Sequence, residues 1–467
     1  LVVGLARGAL ALIDSASPLS VLTANVATML GLGLSVDYAL LVVSRFREQL
    51  AHMPARAAAA ATFRSAGATV ALSGLGVAIS LAALMIVPIN EVQSIGIAGL
   101  IVVGAAVVVC ATLLPAILCL IGSRMDVLMP LRQRFEPTAN ALWRLWARLL
   151  FKHPIAFAAL ASAPLVALAL HAARLDISLP RGDWLPKSAR AAGAMEALDR
   201  IGRTGILQTI HVLVELEAPA SSEQGWSALA GLSARIAQDP RVEATRSITT
   251  AAGSQGWRLF AFLPEAAVGT FLSQDARTGL ITATPRADLE LHELSQLARD
   301  LRAAAIPDGV AAVSVGGAPA LTADYIDTVS RWFVPVAAVI LVVTFIVLAY
   351  GLRSLLLPLK AIALNLLSVA AALGAMTLVF QDGLGGAWLG LDAPAGAVFP
   401  IVPILVFSIV FGLSMDYEVF LFARVVEAHR SGASDLDAMT AGLRATAGVI
   451  TSAAALMVIV FGAFMLG

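Results

Sequence analysis

The chain has 467 residues, 59% of them hydrophobic and only 13% charged, with 31 basic and 31 acidic side chains; its mean hydropathy is +0.87. Soluble proteins carry about 25% charged residues, so a large soluble enzyme is excluded and a polytopic α-helical membrane protein is indicated. The formal net charge of zero removes any bulk electrostatic case for nucleic acid as a partner.

A helix that crosses a bilayer needs about 20 mostly apolar residues. On that rule the spans are 1–13, 19–44, 66–87, 92–122, 154–172, 331–350, 356–380, 397–423 and 445–467. The long stretch 92–122 predicts a helix that tilts or continues beyond the lipid. Its two cysteines, Cys110 and Cys119, read as small apolar core residues. The first span is short and no initiator Met precedes it, so the chain is expected to be part of a longer protein. The expected organisation is a first transmembrane half at 1–122, a linker at 123–153, a helix at 154–172 opening the second half, a polar insert at 173–330, and the rest of that half at 331–467.

Lys and Arg in the connections set orientation. The loop 45–65 holds Arg45, Arg47, Arg56 and Arg64, the linker holds Arg124, Arg132, Arg134, Arg144, Arg148 and Lys152, the turn 351–360 holds Arg353 and Lys360, and 424–444 holds Arg424, Arg430 and Arg444. The alternate connections 14–18, 88–91 and 381–396 carry Asp14, Glu91, Asp382 and Asp392 and no Lys or Arg. One orientation satisfies them all: 45–65 is cytoplasmic and the insert lies outside the cytoplasm. Within the linker, Trp143 to Lys152 mixes aromatic, aliphatic and cationic residues. Two readings fit: a helix lying in the membrane interface, or the end of the next span with snorkelling cations.

In the insert the periodicity changes. Strands are predicted at 208–217, 242–249, 279–285 and 310–316, and helices at 225–238 and 288–304. This repeated β-α-β order suggests a small ferredoxin-like α+β domain, with 250–278 less regular. Gly316-Gly317 closes the last strand, and Pro319 begins the helix into the membrane. His211 and His292 lack partners at metal-ligand spacing, so no metal or other cofactor is implied.

Two acids stand apart. Asp37 and Asp416 each sit inside an apolar span, in Gly-Leu-Ser-Val-Asp-Tyr and Gly-Leu-Ser-Met-Asp-Tyr. A charged residue there costs roughly 2.5–3.5 kcal/mol on insertion scales and marks an ion or proton path. An offset of 379 residues (416 − 37) also sets Ser35 on Ser414, Tyr38 on Tyr417 and Arg45 on Arg424. The two halves therefore read as parallel pseudo-repeats. Arg45 follows Asp37 by eight residues, about 12 Å along a helix, which puts the acid near the membrane midplane if Arg45 marks the interface. Tyr38 and Tyr417 offer hydroxyls to the facing acid, because adjacent residues on one helix do not face each other; Ser35 and Ser414 offer theirs likewise. Asn25 and Asn365 read as interhelical hydrogen-bond partners, and Glu418 as an interfacial group or part of a substrate path. Arg7, a lone cation in a span, has no evident partner.

At these residues the chain resembles the MMPL branch of the resistance–nodulation–division (RND) superfamily. The likeness rests on Gly-Leu-Gly-Leu-Ser-Val-Asp-Tyr-Ala-Leu-Leu-Val-Val-Ser-Arg-Phe-Arg-Glu at 31–48 and Phe-Gly-Leu-Ser-Met-Asp-Tyr-Glu-Val-Phe-Leu-Phe-Ala-Arg at 411–424. Val-Gly-Gly-Ala-Pro-Ala-Leu at 315–321 and Arg353 to Lys360 extend it. The resemblance implies twelve spanning helices in two halves, each with an outward porter domain, of which this chain would run from the third helix into the eleventh. It implies a cell-membrane protein, monomeric or a homotrimer, that exports lipids or other hydrophobic molecules on proton flow, with Asp37, Tyr38, Asp416 and Tyr417 as the relay. The alternatives are small-molecule efflux by the same mechanism, a lipid or sterol sensor that does not pump, and a secretion accessory protein.

Overall fold

The computed structural model describes residues 1–122, 124, 146, 149–178, 193–194, 197–198, 200–202, 204–253, 256–352, 354–389 and 394–464. In chain order its principal elements are α1 (Val2–Asp14), α2 (Leu22–Leu50), α3 (Ala55–Ala83), α4 (Asn90–Ala111), α5 (Leu113–Ile121), α6 (Pro154–His171), β1 (Ile210–Leu216), α7 (Glu223–Ala237), β2 (Val242–Arg246), α8 (Ile248–Ala252), α9 (Glu265–Phe271), β3 (Thr278–Pro285), α10 (Leu291–Ala303), β4 (Val310–Gly317), α11 (Ala318–Leu352), α12 (Leu356–Met376), α13 (Ile401–Arg430) and α14 (Asp435–Ala463). They form two compact units, one of residues 1–174, 331–375 and 401–467, the other of 175–330 and 376–400.

The first unit is all helical. Eight helices among the described residues are long and apolar enough to cross a membrane; α1, with 13 residues, is shorter. The helices α2, α3, α11, α13 and α14 overrun their apolar stretches. The connection expected over 45–65 shrinks to 51–54, and that over 424–444 to 431–434, because both flanks are rich in Ala and Arg, which are strong helix formers. The stretch 92–122 is broken at Thr112 rather than simply tilted. Pro115 explains the break, since its ring clashes with the carbonyl four residues back and it has no N–H to donate. The Thr112 hydroxyl donates to the Val108 carbonyl at 2.6 Å.

Packing centres on α2, which lies against α1, α3, α4 and α14, while α13 packs on α3 and α14. Gly412 lets α13 approach α3: a Cβ there would stand 3.2 Å from the Cα of Val77. Backbone contact through small residues is how helices associate where lipid removes the hydrophobic drive.

The second unit holds a four-stranded sheet in the order β2-β3-β1-β4, every neighbouring pair antiparallel. With α7 and α10 as the connections, this is the split β-α-β arrangement the periodicity suggested. Along β1, Ile210, Val212, Val214 and Leu216 are buried and the residues between them exposed, and Val212 faces Ile281 and Val315 on the flanking strands. Trp226 is fully buried on α7, and its indole N–H donates to Gly253 O at 3.1 Å. Gly317 ends β4 at φ +99°, a conformation that favours glycine. From there α11 starts, tied to α10 by Arg299–Asp327 at 2.8 Å and by Arg302–Asp324. The segment 376–400, expected as a span end and a loop, instead joins this unit: Ile177 bridges Val398 in parallel, and Tyr325 packs on Phe399 with centroids 5.9 Å apart. Most of the linker 123–153 lies outside the described residues; Trp146 is described and meets Phe157 edge-on at 5.3 Å.

Candidate functional site

The seam between α2 and α13 brings residues 380 positions apart into contact. The Tyr417 hydroxyl donates to Asp37 Oδ2 at 2.7 Å. Asp37 is 8% exposed and Tyr38 2% exposed, so the acid that Tyr417 reaches is buried in the helical unit. Consecutive residues of a helix diverge by about 100°, and Tyr38 accordingly turns to α3, where a Cβ at Gly74 would lie 3.6 Å from its hydroxyl. Asp416 is placed along α13 by its backbone, but its side chain lies outside the described residues.

The supporting polar residues separate. Ser414 donates to Asn365 Oδ1 at 2.5 Å, which links α13 to α12. Asn365 is 1% exposed, and its Nδ2 finds no acceptor among the described residues. Ser35 donates to Leu32 O at 3.2 Å, within its own helix, so it does not serve the acid in this conformation. Asn25 is exposed on α2, not packed between helices of this chain. Glu418 is half-buried, with Oε2 enclosed and without a hydrogen-bond partner among the described residues. Arg7 is exposed on α1.

Eight to eleven residues beyond the acids lies a cluster the motif reading passed over. Arg45 pairs with Glu48 at 2.8 Å and with Glu427 at 3.0 Å. Arg424 pairs with Glu48 at 2.5 Å and with Glu427 at 3.3 Å. Both arginines are largely buried, at 13% and 12% side-chain exposure. The signal was legible as Arg-x-x-Glu at 45–48 and again at 424–427, the same 379-residue offset as the acids. Motif reading treated those arginines as markers of sidedness only.

Comparison with known proteins gives these features a family. The heme uptake protein MmpL11 of Mycobacterium tuberculosis is 32% identical over 456 residues, which cover 96% of this chain and 44% of that protein. The trehalose monomycolate exporter MmpL3 of the same organism is 28% identical over 480 residues, covering 94% of this chain and 48% of its own. The chain thus spans about half the length of the curated relatives it matches. Among solved structures, the cryo-EM structure of the hedgehog release protein Disp from the water bear Hypsibius dujardini superposes with a TM-score of 0.60 at 15% identity, over 95% of this chain and 58% of that one; at that identity the likeness is one of fold. The MMPL family model matches residues 1–157 and 183–466, and the chain therefore belongs to the MMPL family of the RND superfamily, as a multi-pass membrane protein.

Proposed function

We propose that this chain is the proton-driving and cargo-handling part of an exporter of lipids or other hydrophobic molecules across the cytoplasmic membrane. The observation that carries the reading is the contact of Tyr417 with Asp37. It joins an intramembrane acid to a hydroxyl on the matching helix of the other half. A carboxyl that can be neutralised by a proton and a phenol that can hold it in either state are the parts a relay needs. Asp416 and Tyr38 are its second pair by sequence register. Each proton moved along the potential supplies about 2.3 kcal/mol per 100 mV, and a change of charge on Asp37 alters what holds α2 to α13.

Cargo and sidedness follow from other observations. One named relative exports trehalose monomycolate and another takes up heme, so large apolar cargo is the shared chemistry. The basic connections put 51–54 and 431–434 in the cytoplasm, and the α+β unit of 175–330 on the other side, where it would receive cargo. No cofactor enters this scheme.

The test is the lipid profile of the cytoplasmic membrane and of the outer envelope in cells making the full-length protein or its Asp37→Asn variant. A lipid that accumulates inside and disappears from the surface in the variant supports export and names the cargo. Matching profiles sink lipid export and leave small-molecule transport, with heme as the first cargo to assay.

A further inference from the structure

The arginines and glutamates at the end of the α2–α13 seam form more than two surface pairs. Arg45 touches both Glu48 and Glu427, and Arg424 touches both Glu48 and Glu427. The four groups close a ring of alternating charge. Two of its contacts run within a helix at i,i+3 and two cross between α2 and α13. The crossing contacts exchange equivalent residues: Arg45 of one helix takes the acid at the register of Glu48 on the other, and Arg424 does the reverse. Arg424 Nη2 reaches both oxygens of Glu48, at 2.7 and 2.5 Å. The Arg45 Nε, left over from the ring, donates to Ser65 on α3 at 3.2 Å. The ring carries no net charge, so it can close against neighbouring helices without stranding a cation.

We infer that this ring is a positioning clamp for the proton relay. It holds the ends of α2 and α13 together two to three helical turns from the Asp37–Tyr417 contact, and so keeps that contact in register and shut off from the cytoplasm until the ring opens. The inference rests on the relay reading of Asp37. Two observations favour a clamp over cations placed only to orient the protein. Cations that orient a membrane protein need no partner, yet both of these are neutralised by acids. And the contacts use the guanidinium fork: each arginine spans two carboxylates through its two terminal nitrogens, a geometry that an ammonium point charge does not reproduce. Isolated surface pairs contribute little, whereas closed networks with forked geometry do contribute.

The experiment measures proton leak in liposomes that contain the full-length protein and a trapped pH dye. Arg45→Gln/Arg424→Gln is expected to raise the leak about five-fold or more, the order expected from losing several networked pairs. Adding Asp37→Asn is expected to return the leak to the wild-type level, since the loosened path runs through that acid. The fourfold swap Arg45→Glu/Glu48→Arg/Arg424→Glu/Glu427→Arg keeps all four attractions of the ring and is expected to leak within about two-fold of wild type. If the glutamine variant does not insert, Arg45→Lys/Arg424→Lys carries the test, because it keeps both charges and loses the fork.

A leak equal to wild type in the glutamine and lysine variants overturns the clamp. So does a leak that persists in full after Asp37→Asn, which would mark the ring as a purely structural contact. Failure of the underlying relay has its own signature: potential-driven flux of the otherwise unmodified protein unchanged by Asp37→Asn.

Discussion

At the scale of single residues, two hydrogen bonds across the helical unit lead to opposite expectations. Tyr417→Phe removes the donor to Asp37 Oδ2 and leaves the ring in place, so packing is kept and one polar interaction is lost. Hydrogen bonds to charged groups contribute about 1.5–3 kcal/mol. Potential-driven proton flux should therefore fall about ten-fold or more while the amount of protein in the membrane stays normal; undiminished flux would show that the phenol takes no part. Ser414 makes the contrasting case. Its hydroxyl donates to Asn365 Oδ1, and Asn365 is buried. Ser414→Ala strands that amide at a cost of about 1–3 kcal/mol, which should lower the thermal midpoint in detergent. Ser414→Ala/Asn365→Leu should recover most of the loss, because removing both partners leaves no unsatisfied group; a double variant weaker than the single would sink this account.

Among elements, the α+β unit carries a contact that is sensitive to acid. Arg241 precedes β2 and reaches Asp239 at 2.8 Å and Asp300 on α10 at 2.7 Å. Its hydrogen bonds hold the Asp239 carboxyl below the usual carboxylate range. A folded pKa that is depressed gives stability that is fully present above the unfolded value of about 3.9 and lost as pH falls through the folded one. Arg241→Met should thus slow amide exchange less in β2 and the last turn of α10 at pH 7, in other words leave both less protected, and the difference from wild type should vanish near pH 3. A difference that persists unchanged at pH 3 would locate the effect in packing instead. Elements of this kind were legible because alternation and helical period are local: β1, β2 and α10 fall within the segments their patterns predicted, and α7, β3 and β4 overrun theirs by one or two residues. Local pattern fails where a partner is distant. Nothing in 376–400 announces that Val398 will pair with Ile177. Apolar length likewise marks where lipid begins and not where the helix ends, so α2 and α13 run one or two turns further, and those extra turns carry the arginine–glutamate ring.

For the whole molecule the governing regularity is the 379-residue offset, which repeats Ser, Asp, Tyr, Arg and Glu on α2 and α13. That much is legible in the sequence; which tyrosine meets which acid is not, because it depends on how the two helices face each other. The same regularity constrains sidedness. If α2 and α13 are parallel repeats, their C-terminal ends share one side of the membrane, and the turns at 51–54 and 431–434 lie together there. On the orientation proposed above, that side is the cytoplasm. Ser227 on the exposed face of α7 then lies outside, while Ser431 lies inside. The free cysteines Cys110 and Cys119 sit within α4 and α5, and replacing both with Ala gives a background for labelling. On that background Ser227→Cys should react with a membrane-impermeant maleimide in intact cells, and Ser431→Cys only after permeabilisation. The reverse pattern would invert the molecule and place the ring on the outer surface. Labelling of both in intact cells would contradict the count of crossings between α7 and the end of α13, and with it the parallel-repeat reading that makes the ring symmetric.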